Sequence, residues 1–195
     1  MSGIFLRATP ELPGRTVGEV ERIRDVELAK VGEWGISTGD WTVTREDLRS
    51  AVEAHRAGVL RKPVIKLGHV DDRFDGQPAF GHIENLRLAH GGDTLVGDLV
   101  MPAWLAAAAP MHYPDRSVEA LQGFRAADGR TWPLVLTGVA LLGATAPGID
   151  TLTSLQDLVA ASTARITLRP RTPARNTHTV LVAAARRRRA TRKAP

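Results

Sequence analysis

The sequence predicts an α+β fold with more strand than helix, its strands mostly antiparallel and joined by hairpins. Three observations carry this. Apolar and polar residues alternate, or apolar residues run on, in several segments of strand length, Val26–Val31 and Leu134–Leu142 among them. Gly- and Asp-rich turns, His90-Gly91-Gly92-Asp93 and Asp128-Gly129, separate such segments in pairs. Helical signals are few and short.

Residues 1–24 contain Pro10 and Pro13 and hold no sustained period, so they read as an N-terminal arm. Val26-Glu27-Leu28-Ala29-Lys30-Val31 reads as a half-buried strand, and Gly32 to Trp41 as a Gly-rich turn region or hairpin. Thr44 is placed to cap a helix, with Asp47 in the capping-box position and Gly58 at the end. Leu48 and Val52, with either His55 or Ala51, mark one face of it. Pro63 to His69 reads as a strand ending at a histidine, and Val70 to Pro78 as a surface loop. Phe80–Leu88 with Thr94–Val100, and Arg116–Phe124 with Trp132–Leu142, read as two hairpins. Between them Pro102 opens a short helix, Ala103–Ala109, that Pro110 is expected to stop. Leu152–Ala161 reads as a last helix.

The chain has 195 residues, enough for one domain with tails. It has no cysteine, which excludes disulfides, Cys-rich zinc sites and a cysteine nucleophile. No apolar run approaches the ~20 residues of a membrane span, and the N-terminus lacks the apolar core and cleavage site of a signal peptide. Of the 26 basic residues, ten lie in residues 164–195, which hold no acid; residues 1–163 therefore carry 16 basic against all 21 acidic residues, a net charge of −5. A mildly acidic body is a poor surface for tracking phosphates, so any nucleic-acid affinity is expected in the tail alone. The division expected is an arm over 1–24, a domain over 25–163 and a basic, disordered tail over 164–195. The tail's composition fits either a scaffold- or nucleic-acid-binding arm or readthrough of GC-rich DNA in a shifted frame.

Two segments could carry chemistry, Lys66-Leu67-Gly68-His69-Val70-Asp71-Asp72 and Tyr113-Pro114-Asp115-Arg116-Ser117-Val118-Glu119. Each sets a candidate side chain at a strand end beside a turn. A serine hydroxyl is a weak nucleophile that needs an adjacent base, and histidine is the usual one near neutral pH. His69 with Asp71 and Asp72 lacks the further ligand a catalytic zinc needs, so no metal and no cofactor is expected. His82 reads as surface or sheet packing and His112 as loop. Trp34, Trp41, Trp104 and Trp132 read as core or rim anchors, because basic residues do not interleave with them.

Val64-Ile65-Lys66-Leu67-Gly68-His69, Phe80-Gly81-His82-Ile83-Glu84-Asn85-Leu86, Tyr113-Pro114-Asp115-Arg116-Ser117-Val118-Glu119 and Leu136-Thr137-Gly138-Val139-Ala140-Leu141-Leu142-Gly143 occur in this order, after Val26–Ala29 and Thr44–Leu48. Together they resemble the phage capsid maturation (prohead) proteases, in particular the Mu I-protein-like group, over about residues 25–160. The resemblance implies the assemblin-like fold of the herpesvirus proteases, a compact β-barrel-like sheet with peripheral helices. It implies a serine endopeptidase with Ser117 as nucleophile and His69 as general base. Its substrates would be phage scaffold and major capsid proteins, and the enzyme itself, cut inside the assembling prohead in the host bacterial cytoplasm. A homo-oligomer with no membrane partner is expected.

Two positions depart from the wider superfamily. Gly138 stands where assemblins carry a third His and tailed-phage relatives a Glu, and Gly143-Ala144-Thr145 stands where assemblins have paired Arg. The third catalytic member and the oxyanion hole are thus not carried over. Residues two apart on a strand share a face, so Glu119 and Asp115 can lie on the side of Ser117. Glu119 is the favoured supporting carboxylate, against a bare Ser/His dyad. The competing function is non-enzymatic: a catalytically inactive capsid-assembly scaffold protein or degenerate prophage remnant of the same fold.

Overall fold

The computed structural model describes residues 18–36, 39–69, 76 and 78–167. Most of the loop expected over Val70–Pro78, and the tail beyond Thr167, lie outside the described residues. Two compact units divide the chain, Met1–Ala160 and Ala161–Pro195. Of the second, only the end of the last helix is described.

The elements are β1 (Val20–Lys30), β2 (Gly32–Ile36), β3 (Gly39–Val43), α1 (Arg45–Ala57), β4 (Val64–Leu67), β5 (Gly81–Ala89), a short 3₁₀ turn (His90–Gly92), β6 (Thr94–Pro102), α2 (Ala103–His112), β7 (Asp115–Arg125), β8 (Thr131–Leu142) and α3 (Leu155–Thr167). Six strands form one sheet in the order β1-β6-β5-β4-β8-β7, and β2 and β3 form a separate hairpin. Every pairing is antiparallel except that of β4 with β8. The fold is therefore α+β with a mixed, mostly antiparallel sheet. Among the described residues the sheet is not a closed barrel, because no ladder joins β7 to β1. The two edges meet instead through one side chain: Arg116 of β7 donates its Nε–H to the Glu27 carbonyl of β1 at 2.5 Å.

The helix expected at Thr44 forms as the capping box requires. The Thr44 side chain accepts from the Asp47 backbone N–H, the Asp47 carboxylate accepts from the Thr44 N–H, and Gly58 closes the helix in a left-handed conformation. Leu48, Ala51 and Val52 of α1, Leu105 and Ala109 of α2, and Leu155 of α3 pack into one core with the inward residues of β1, β4, β5, β6 and β8. Burying each large apolar side chain contributes roughly 1.5–3 kcal/mol.

Several boundaries differ from the sequence expectation: β4 stops at Leu67, because Gly68 turns the chain before His69, and α3 begins at Leu155 rather than Leu152. β1 starts at Val20, inside the segment read as an arm, and reaches Val26 through a bulge at which Asp25 takes φ 59°. The bulge breaks the alternation by which a strand is recognised. α2 runs through Pro110 to His112. A proline in the last turn removes one N–H, and the helix still closes with the Tyr113 N–H on the Ala109 carbonyl at 2.8 Å. Residues 164–167, read as tail, continue α3.

The buried carboxylate Asp98 on this sheet is paired. Asp98 accepts from the Asp25 N–H, the Asn85 side chain and Arg87, joining the bulges of β1 and β5 across β6. Burial pushes its carboxyl up, but these bonds outweigh it and hold the pKa below the ordinary value. His82, read as surface or sheet packing, lies with its Nε2 3.0 Å from Glu84 Oε1. Lys62 at 2.6 Å and Arg22 at 2.5 Å complete a cluster around the same carboxylate. Bonds from Lys62 first, then His82, lower the Glu84 pKa from 4.5 to about 2.

A carboxylate with a depressed folded-state pKa stabilises the fold above its ordinary pKa and loses that contribution as the pH falls through the depressed value. Urea unfolding of Glu84→Gln should therefore lose less stability than the wild type between pH 4.5 and about 2. Parallel losses in the two proteins would show that Glu84 contributes nothing to the acid limb.

Candidate active site

β8 positions the site because it is paired on both sides. On one rung, Ala140 of β8 lies between Lys66 of β4 and Ser117 of β7; on another, Gly138 lies between Val64 and Glu119. Side chains on one rung of a sheet share a face, so Lys66, Ser117 and Glu119 stand on the same side. The opposite side carries Ile65, Val139 and Leu141, which are fully buried in the core.

A bulge in β8 sets this division. Glu119 pairs with Gly138 but Ala120 pairs with Leu136, which leaves Thr137 without an opposite residue. The extra residue changes the parity of the strand: Leu134 and Leu136 face the core before it, and Val139 and Leu141 after it. Thr137 also bonds its partner strand, its hydroxyl donating to the Glu119 carbonyl at 3.0 Å. Glu119 is thus fixed at the backbone beside the position its side chain serves.

His69 follows β4. The Gly68 N–H donates to the Leu141 carbonyl at 2.9 Å, extending the ladder by one bond, and Gly68 then turns the chain with φ 69°. The left-handed turn is the reason for glycine, since nothing crowds its missing side chain. The His69 ring is half exposed, and its Nδ1 lies 3.4 Å from Glu119 Oε1. The other carboxylate oxygen, Oε2, lies 2.6 Å from Lys66 Nζ. Gly138 lies beneath this carboxylate: a Cβ there would stand at ordinary contact distance, 3.4 Å, from Glu119 Oε2 and more tightly, at 3.1 Å, against the Val64 carbonyl. The position that departs from the superfamily pattern is therefore the floor under the Glu119 carboxylate.

His69, Ser117, Glu119 and Lys66 all line one cavity of about 650 Å³. Ile36 and Trp41 of the β2–β3 hairpin and the Pro147–Ile149 segment also line it. Its size lies in the range of ligand pockets, roughly 300–1,000 Å³. The structure thus brings together the three residues singled out in the sequence. Asp115 is on β7 as expected, whereas Asp71 and Asp72 fall outside the described residues.

Two cationic residues of the site were not given a role by sequence reasoning. Lys66 lies in the His69 segment, and its alternation with Ile65 is the signal that it faces the other way from the core. Arg116, next to Ser117, is 2% exposed and reaches the core face of β7. Its Nη2 is buried without a partner among the described residues, and burial lowers its pKa well below the ordinary guanidinium value, to about 10, against the pull of Glu27 and Asp115. Trp34 and Trp41 face each other across the hairpin, Arg130 lies 3.6 Å over the Trp132 ring, and Trp104 packs edge-on against Phe80. His112 ends α2. Among the described residues no helix is long and apolar enough to cross a membrane.

No protein-family model, no curated protein and no solved structure matches the chain.

The clasp between β7 and β1 separates two effects that a substitution at Arg116 can expose. Arg116→Ala removes the packed stem together with the charge and should cost about 2–5 kcal/mol, as other long buried side chains do. Arg116→Met keeps most of the stem and removes a desolvated cation with an unmet donor, so it should cost clearly less. Denaturant unfolding of both variants measures the difference. Equal losses would mean that the Arg116–Glu27 hydrogen bond, and not packing, holds the edge.

Proposed function

We propose that the chain is a serine endopeptidase of the phage prohead maturation type, with Ser117 as nucleophile and His69 as general base. The observation that carries this reading is the Glu119 carboxylate 3.4 Å from His69 Nδ1, in the cavity that Ser117 also lines. A carboxylate at Nδ1 favours the tautomer whose proton lies on Nδ1, which leaves the Nε2 lone pair free to act as base.

The reaction follows from these roles. Ser117 Oγ adds to the scissile carbonyl carbon while its proton passes to His69 Nε2. The tetrahedral adduct collapses, the C–N bond breaks, and His69 returns the proton to the leaving amine. Water, deprotonated by His69 in the same way, then cleaves the acyl-serine ester and restores both residues. Glu119 stabilises the imidazolium formed in each half. The departure at Gly138 is met in this reading by a carboxylate from the neighbouring strand. The natural substrates are phage scaffold and major capsid proteins and the enzyme itself, inside the assembling prohead in the host bacterial cytoplasm, with the enzyme acting as a homo-oligomer.

Co-expression with the adjacent scaffold and capsid genes, scored by gel, tests the assignment. Ser117→Ala and His69→Ala should each abolish clipping while leaving the melting temperature unchanged. Glu119→Gln should slow it by roughly two to four orders of magnitude, the range of other triads. Clipping that survives Ser117→Ala would overturn the reading. Failure of the wild type to clip any of these proteins would favour the inactive assembly protein.

A further inference from the structure

We infer that Lys66 is a positioning residue of this site: it holds the Glu119 carboxylate over Gly138 so that one oxygen faces His69. The inference rests on the peptidase reading for its consequence and on the geometry around Glu119 for its content. Two contacts define that geometry. Lys66 Nζ binds Oε2 at 2.6 Å, and Oε1 lies 3.4 Å from His69 Nδ1, with Gly138 beneath the carboxylate. The two oxygens of Glu119 are thus divided between two partners.

A glutamate side chain has three rotatable bonds, and Glu119 stands on an edge strand where water could draw it outward. The 3.4 Å separation from His69 is too long to hold the carboxylate by itself. The Lys66 contact is short, and its charged ends are about one-fifth and one-quarter exposed, so it is screened less than a surface pair. Lys66 is itself well placed. It stands on the rung of Ala140, and its neighbour Ile65 is fully buried, which fixes its direction. Alanine and glycine on the intervening strand let a β4 side chain reach a β7 side chain across roughly 10 Å, two strand spacings.

The consequence is a division of labour. The ion pair of Lys66 among the described residues is with Glu119, and through it Lys66 acts on His69. Without it the carboxylate turns toward water, and His69 returns to the mixture of tautomers found in free imidazole, in which the form with the proton on Nε2 cannot accept from Ser117. Arginine at position 66 can keep the contact, whereas methionine fills the space and cannot.

The test reads the His69 tautomer directly, by nitrogen-15 NMR of the full chain with labelled histidine at neutral pH, and His69→Gln identifies the signals. The wild type should carry its proton on Nδ1. Lys66→Met should lose this preference, Lys66→Arg should keep it, and the thermal melts should show that both remain folded. In the clipping assay Lys66→Met should lower kcat at least tenfold with KM little changed, and Lys66→Arg should restore most of it. An Nδ1-protonated His69 that persists in Lys66→Met overturns the inference, whatever the activity. Loss of that tautomer in Lys66→Met, in a protein whose clipping does not depend on Ser117, would sustain the role of Lys66 toward His69 while removing the peptidase reading.

Discussion

The pairing of β8 with β4 on one side and β7 on the other is the constraint on which the site depends. Parallel pairing with β4 sets Lys66 level with Ala140, and antiparallel pairing with β7 sets Ser117 level with the same residue. A slip of one residue in either ladder would send Ser117 or Lys66 to the core face. Thr137 guards against such a slip. Its place in the bulge lets Leu136 and Val139 both face inward, and its hydroxyl ties the bulge to β7. Core packing and site geometry are in this sense one requirement: the register that sets Leu134, Leu136, Val139 and Leu141 into the main core sets Gly138 and Ala140 on the other face, level with Glu119 and Ser117.

The electrostatics follow the same frame. Acids and bases are paired across strands at Glu84, Asp98 and Glu119: between β1 and β5, within the β5–β6 hairpin, and between β4 and β7. Glu27 is held differently, with Lys30 of its own strand 3.0 Å away. Burial pushes its carboxyl up, but the Thr153 N–H and Lys30 outweigh this and hold its pKa down, while its carbonyl receives Arg116. One residue of β1 thereby ties the segment before α3 and the edge strand β7. Arg116 pins this edge directly beside Ser117, so Ser117 sits next to the most deeply buried cation among the described residues.

The sequence foretold the strand pairs and α1 because they depend on local chemistry. Thr44 with Asp47, Gly58, and the turns at His90–Asp93 and Asp128–Gly129 act within a few residues of themselves. The start of β1 was hidden, since the bulge at Asp25 removes the alternation on which recognition rests. The run from Leu134 to Leu142 announced a buried strand but not which residues face in, because the bulge at Thr137 leaves no trace in an apolar sequence. His69 and Ser117 were found by resemblance and chemical type, and Glu119 by its spacing of two from Ser117. Lys66 was missed as a partner for Glu119 because that pairing exists only once β4 and β7 flank β8. The small residues Gly138 and Ala140 were the available sign that side chains from both neighbouring strands meet above them.

The central claim is that this register gives Ser117 an activated hydroxyl. Its most direct test is covalent labelling by a fluorophosphonate, followed by mass-spectrometric mapping of the adduct. The account predicts one adduct, on Ser117, formed at a rate that falls at least a hundredfold in His69→Ala. Absence of label from the folded wild-type protein, or an equal rate of labelling with and without His69, would contradict it.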